Sequence, residues 1–483
     1  MQVVASKNKI RYLHILIMLL ITFSVGFLPP VGMITPVGMK VLGVFFGLVY
    51  GWIFIDLFWT SLFGFFALTL TGVTGIVPAF VQAFGNSSVV ICIVAMAFAD
   101  CLNKIGISEA IAYWTMSKKI FAKRPWLLCA GILTVSVLSG MFGCGYAAIF
   151  LLWAVVDRIS DLNGIERKSL FLSMMYATIL FAAMTGSCVT PFMAGFIMMH
   201  GFFQAATGLT VPGGLFLIGG IIYCILTFGL MLLISRFILR VDPSAFTITE
   251  DLRTEYASRK MSKVQLVGLI LLAVYMAMLI LPLFLHGTIW TMFGAWGMLG
   301  FTILYMSVFY IWKKDNGEPI CRLENCFRDG IIWPSVMLLM ITIPLSAAME
   351  SADIGILTTM NAVLAPIFNG LGVLPILILS VVLLGAITQI LHNIVVAAIF
   401  IPLLAPIIID MGCNPAVFFF VIYFSLQCAY VTPAASMMAG VLFGKEDTPV
   451  KHVYLYGLMF FVASCIVLLG MNPLCDILFS SFM

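Results

Sequence analysis

Apolar residues run through this chain in long unbroken stretches, not in the alternation expected of a half-buried strand or the striping of a half-buried helix. Runs at about 12–29, 38–55, 58–80, 88–103, 169–205, 213–235, 263–285, 290–312, 332–350, 415–444 and 453–472 are nearly free of charge. Crossing a bilayer core takes about 20 apolar residues, so these runs predict eleven spanning helices. Two further stretches are interrupted in the middle. Residues 125–157 break at Gly140, Gly143 and Gly145 into halves of about 14 and 12 residues, each reaching about 20 Å. Residues 374–411 break at Thr388-Gln389-Ile390-Leu391-His392-Asn393.

Charge turns this pattern into a topology. Lys and Arg gather in the N-terminal tail, between Arg236 and Lys263, between Lys313 and Arg328, and at Lys445 and Lys451, which places those segments in the cytoplasm. Stretch 125–157 is flanked by Lys118, Lys119, Lys123 and Arg124 and by Arg158, Arg167 and Lys168, so both of its ends are cytoplasmic and it predicts a re-entrant hairpin. No Lys or Arg lies between 357 and 444, so the second hairpin enters from outside. The expected fold is therefore all-α and integral to the membrane, with about 11 transmembrane helices and two opposed re-entrant hairpins. The N-terminus is cytoplasmic and the C-terminus extracytoplasmic, in the cell (plasma) membrane. The basic N-terminal tail and run 12–29 read as a retained first span, not a cleaved signal.

Hairpins from opposite faces imply inverted repeats, and four landmarks recur at an offset of 242–249 residues. Ser88-Val89 leading to Lys104-Ile105-Gly106-Ile107 is matched by Ser335-Val336 leading to Asp353-Ile354-Gly355-Ile356. Cys144 is matched by Asn393, Tyr176 by Tyr423, and Val189-Thr190-Pro191 by Val431-Thr432-Pro433.

Composition narrows the function. With 63% hydrophobic and 9% charged residues, 24 Lys+Arg against 20 Asp+Glu, the chain is neither a soluble domain nor a nucleic-acid binder. Its twelve cysteines lie mostly in apolar runs, only Cys321 and Cys326 falling in a polar loop, and imply no disulfide framework. No HExxH, GxxxxGK[ST] or G-x-S-x-G occurs, so neither an enzyme nor ATP drive is expected, no cofactor is called for, and a gradient must supply the energy. Asp56, Asp100 and Glu350 fall near helix ends and are expected to be solvated or paired. His200 and His286, near helix ends, read as interfacial, and His14, close behind the basic tail, carries no functional signal. For His392, a structural imidazole and a proton carrier are equally open.

A helix broken at membrane depth survives only where protein covers it or water reaches it, so the breaks mark the site. Thr-Pro frees backbone carbonyls which, with Thr, Ser and Asn oxygens, suit a small hard cation such as sodium; half-helix N-termini suit an anion. Thr388 and Gln389, directly before the second tip, are well placed to face such a cavity, although a helix-end hydrogen bond is the competing account. Either Thr-Pro alone is also an ordinary kink.

In these features the sequence resembles the divalent anion:sodium symporter family of the ion-transporter superfamily, whose hairpin tips bear Ser-Asn-Thr. The resemblance implies substrate contacts from the first tip, Gly143-Cys144-Gly145, which lacks the Asn and hydroxyls, and from the second, His392-Asn393. It adds Thr190-Pro191 and Thr432-Pro433 around the substrate, with Ser187, Asn393, Thr432 and Ser436 as sodium-binding candidates beside Thr388. It also implies scaffold helices one to four in 1–117 and a first transport half in 118–240. A cytoplasmic linker with scaffold helices seven to nine occupies 241–356, and a second transport half 357–483. A homodimer carrying a small organic anion, a di- or tricarboxylate, inward with sodium would follow. A proton-coupled carrier of the same fold and an exporter like the arsenite pumps are the alternatives.

Overall fold

Several helix starts in this chain carry side chains that satisfy their open N–H groups. After α1 (Gln2–Ser24), Thr35 accepts from the Gly38 N–H at 3.2 Å, and Pro36 opens α2 (Pro36–Phe54) with its φ already set. Asp56 accepts from the Trp59 N–H at 2.7 Å at the head of α3 (Leu57–Leu70) and pairs with Arg11 at 3.2 Å. The computed structural model describes residues 2–121, 124–142, 145–258, 261–281, 285, 287–314, 317–351, 353–356, 358–359, 362, 372–433, 435–446 and 448–480. Within them it is helical throughout, with one isolated bridge between Lys313 and Pro319.

The chain continues through α4 (Ile76–Phe84), α5 (Ser87–Ile105), α6 (Ile107–Met116), α7 (Pro125–Met141), α8 (Gly145–Leu162), α9 (Leu170–Val189), α10 (Ala194–Thr207) and α11 (Gly213–Leu233). The short polar α12 (Glu250–Ser258) precedes α13 (Lys263–Ile280), which opens on a reciprocal capping box between Ser262 and Gln265. Then come α14 (Thr288–Ile311), α15 (Leu323–Gly330), α16 (Trp333–Glu350), α17 (Val373–Ile387), α18 (Asn393–Asp410), α19 (Pro415–Leu426), α20 (Met437–Phe443), α21 (Val450–Gly470) and α22 (Asn472–Ser480).

The repeat extends to the order of elements. Six starts, those of α4, α5, α7, α8, α9 and α10, recur in the same order in α15, α16, α17, α18, α19 and α20 at offsets of 243–248 residues. Packing follows the same pairing. Helices α7 and α8 pack on each other and on α9, and α17 and α18 on each other and on α19, while α4 packs on α16 and α15 on α5. Ser136 of α7 donates to the Ile179 carbonyl at 2.7 Å, and Ser425 of α19 donates to the Val381 carbonyl of α17 at 2.6 Å. Helices α9, α11, α19 and α21 form the centre, and Tyr176, Tyr223, Tyr423 and Tyr456 are fully buried in them.

Among the described residues, six helices are long and apolar enough to cross a membrane, and nine if each of three bent pairs is one span. Five of the eleven predicted spans are α1, α2, α9, α11 and α21; three are the bent pairs; three fall on the shorter helices Leu57–Leu70, Lys263–Met278 and Pro415–Leu426. The sixth long helix is α18, the second arm of the second hairpin. Run 58–80 is not one helix, because α3 ends at Leu70 where Thr71 turns its hydroxyl onto the Leu68 carbonyl. Run 290–312 bends by 83° at Gly297, whose φ of +54° only glycine adopts readily. The arms α7 and α8 have 17 and 18 residues, longer than predicted, because α8 continues through Asp157, Arg158 and Asp161, whose charges are paired.

Candidate functional site

Both Thr-Pro segments interrupt helices. α9 ends at Val189, Thr190 turns extended (φ −89°, ψ 127°), and α10 starts at Ala194 with no side-chain cap. α19 ends at Leu426, and α20 starts only at Met437, capped by Ser436, which accepts from the Ala439 N–H at 3.1 Å. Ser436 also donates to the Ala429 carbonyl at 3.0 Å.

The second tip is laced to this second break. Gln389, 8% exposed, donates to the carbonyls of Gly385 at 2.7 Å and Cys428 at 2.8 Å, and its Oε1 accepts from the Val431 N–H at 2.9 Å. Thr432 donates to the Gln389 carbonyl, and Thr388 to the Leu426 carbonyl at 3.3 Å. Asn393 donates to Gln427 Oε1 at 2.8 Å, and Gln427 Nε2 lies 3.7 Å from Met199 Sδ on α10. Thr388, Asn393, Thr432 and Ser436 are thus brought together around residues 427–431, while Pro433 is exposed. Gln427 is the connecting group that the motif pattern does not single out. Its signal is an amide side chain inside an otherwise apolar run.

The first break is bonded differently. Ser187 and Cys188 turn back onto the Met184 carbonyl at 2.6 and 3.1 Å. The Thr190, Thr185 and Ser139 hydroxyls are buried with no partner. Ser139 sits where α7 crosses α9 so closely that a Cβ on Gly140 would lie 2.0 Å from the Ala183 carbonyl oxygen, and one on Gly186 2.2 Å from that of Val137. Buried Pro191 follows, packed beside Gly213. Buried hydroxyls facing a backbone-lined crossing make a ready set of oxygen donors. Of the first tip, Gly143 and Cys144 lie outside the described residues, and Gly145 is buried at the start of α8 against Ala183 and Met184.

Two side-chain contacts reach from the second break to the first. Tyr423 donates to the Cys188 carbonyl at 2.9 Å, at the last turn before the first break, and a Cβ on Gly195 at the head of α10 would meet only that same hydroxyl, at 3.9 Å. Gln427 supplies the second, through Met199. Segments 185–196, 385–400 and 423–440 contain no Asp, Glu, Lys or Arg. A ligand there meets amides, hydroxyls, helix ends, thiols and the His392 imidazole, but no carboxylate, ammonium or guanidinium group. A cavity of about 20 Å³ lies where α18 meets α2 and α16, lined by Trp52, Thr342, Ser346, Ala398 and Pro402.

The histidines are occupied. His392 caps α18, its Nδ1 accepting from the Ile394 N–H at 3.3 Å. His200 accepts from the Val211 N–H at 3.0 Å and stacks on Phe196, so it is part of the α10 packing and not interfacial as predicted. His14 bonds Tyr50 at 2.8 Å, and His286 lies outside the described residues. Asp100 pairs with Lys104 at 2.5 Å, as expected of an acid near a helix end; the side chain of Glu350 lies outside what is described. Outside the spans, the Asp242 carboxyl, at the start of the α11–α12 connection, is held below the usual range by the Ser244 N–H and hydroxyl.

An all-helical chain with paired broken helices inside an inverted repeat has the fold of a multi-pass membrane transporter. Among solved structures it is similar to the YdaH transporter of Alcanivorax borkumensis, described as having an unusual topology. The TM-score is 0.59 at 15% identity, over 84% of this chain and 89% of that one. No protein-family model matches the sequence, and no curated protein matches it.

Proposed function

We propose that the protein is a secondary active transporter that carries a small organic anion, of the di- or tricarboxylate class, inward with sodium by alternating access. The observation that carries this reading is the pair of helix breaks joined through Tyr423 and Gln427, with unpartnered hydroxyls at one and an amide-rich tip at the other. Sodium is held at the breaks. The orphaned oxygens of Thr190, Thr185 and Ser139 are the strongest donors at the first, together with Ser187. At the second, Thr388, Asn393, Thr432 and Ser436 donate to carbonyls or amides and so can turn lone pairs toward a cation.

The anion sits between the tips, against Gly143-Cys144-Gly145, His392-Asn393 and the Thr190-Pro191 and Thr432-Pro433 segments. With no Lys or Arg there, its charge is met by the free N–H groups of α10 and by the co-bound cation. The hairpins α7–α8 and α17–α18 with α9–α11 and α19–α21 form the moving part. The remaining helices form a scaffold that dimerises in the plasma membrane, with the N-terminus cytoplasmic and both hairpins re-entrant. The engagement of His392 as a helix cap favours sodium over proton coupling.

Uptake of radiolabelled carboxylates into proteoliposomes tests this. Accumulation driven by an inward sodium gradient is expected; accumulation that ignores sodium and follows a pH gradient would reject the coupling.

A further inference from the structure

Three sulfurs meet away from the breaks. Cys101 lies near the end of α5, Cys321 in the connection from α14, and Cys326 on α15; all are at most 1% exposed, and their Sγ atoms lie within 4.8 Å of one another. Cys321 and Cys326 are closest, at 3.1 Å, well beyond the ~2.05 Å of a disulfide. The neighbouring Asp100 carboxyl is ion-paired at 2.5 Å with Lys104, which also reaches Asp329 at 3.6 Å. Backbone bonds hold the loop thiols in place: the Cys321 N–H donates to the Phe309 carbonyl at 3.1 Å and that of Cys326 to Arg322 at 3.2 Å.

A lone buried cysteine is a small apolar group. Three from separate elements, beside a carboxylate, are a soft donor set.

We propose that Cys101, Cys321 and Cys326 bind a thiophilic divalent cation of the zinc type that fastens α15 to α5, with water or the neighbouring Asp100 in the fourth position. Zinc–sulfur bonds of about 2.3 Å in a tetrahedron put sulfurs about 3.8 Å apart, inside the spread present here, so shifts of the three thiols below about 1 Å suffice. Binding releases the thiol protons, and the resulting negative charge of the centre is offset in part by Lys104.

The need for such a clip is visible in the repeat. The counterpart α4 buries Ala79 and Ala83 and stacks Phe80 on Phe65 at 4.1 Å, so apolar contact holds it. On α15, Leu-Glu-Asn-Cys-Phe-Arg-Asp-Gly, the one buried residue is Cys326. Yet α15 packs on α5 and turns by 73° into α16. A bound ion supplies the cohesion that its sequence lacks.

The test uses the purified full-length protein in detergent, stripped by chelator under reducing conditions and dialysed against zinc. One zinc per chain is expected, lost in Cys326→Ser and Cys101→Ser and kept in Cys224→Ser, a buried cysteine of α11. Cobalt loading should give thiolate-to-metal charge-transfer absorption with tetrahedral d–d bands. In the wild type, which needs no altered fold, zinc should slow iodoacetamide labelling of the three thiols at least 10-fold, and chelator should restore it. Zinc far below one per chain, retention in Cys326→Ser, unchanged labelling, or a Cys321–Cys326 disulfide in the isolated protein would each overturn the proposal.

Discussion

Replacing Gln389 by Leu keeps the volume and removes the amide that ties the second tip to the second break. Three partners lose their bond: the Gly385 and Cys428 carbonyls and the Val431 N–H. The Cys428 carbonyl keeps the Tyr430 N–H at 3.0 Å, whereas the Val431 N–H and the Gly385 carbonyl, in the last turn of α17 where the Gln389 N–H goes to Ala386 instead, are left without a partner. A buried polar group left unpaired costs about 1–3 kcal/mol, so the two together predict about 2–6 kcal/mol for Gln389→Leu. Thr388→Val, which loses one long bond of 3.3 Å, should cost below about 1 kcal/mol. Unfolding in mixed micelles by titrated dodecyl sulfate, followed by tryptophan fluorescence, measures both. If Gln389→Leu falls within about 0.5 kcal/mol of the wild type, the tip is not held by this amide and the latch is wrong.

Asn393→Ala should abolish sodium-driven uptake while leaving the elution profile of the purified protein unchanged; wild-type rates would take Asn393 out of the site. Saturating sodium, at about 100 times its dissociation constant, should stabilise the protein by about 2.7 kcal/mol, and Thr190→Val should erase that gain in the same unfolding assay. Gly140→Ala and Gly186→Ala should each cost about 1–3 kcal/mol or more, since their Cβ atoms would fall 2.0 and 2.2 Å from carbonyl oxygens of the facing helix; normal stability in either would refute the close crossing. Arg158→Ala, by contrast, breaks a solvent-exposed pair with Glu255 and should leave the unfolding midpoint close to that of the wild type, with no difference at high salt.

The repeat and the helical character of the runs were legible because lipid imposes a one-dimensional rule: a charge-free run of sufficient length must be helical, and each predicted run falls on helix, though three fall on helices shorter than a full span and run 58–80 is divided at Leu70. The bend at Gly297 was not, because Gly294, Gly297 and Gly300 look alike in an apolar run and only packing selects which one takes a positive φ. The thiol cluster was hidden for the same reason, Cys101 and Cys321 being brought together by the fold and not by spacing. Neighbouring Thr388 and Gln389 show the limit at the site. Sequence ranks them equally, but the crossing of α17 with α19 gives one a single long bond and the other three short ones. The repeat offset likewise implies twin sites, and hydrogen bonding makes them unequal. At the second break Thr432 and Ser436 spend their protons on Gln389 and Ala429, whereas at the first Thr190, Thr185 and Ser139 have nothing to donate to. An unpaired buried hydroxyl costs about 1–3 kcal/mol, a penalty that a bound cation, by using the oxygen lone pairs, offsets. Two halves of one repeat can therefore carry different tasks, cation capture at the first break and a braced substrate-facing tip at the second, without any charged residue in either.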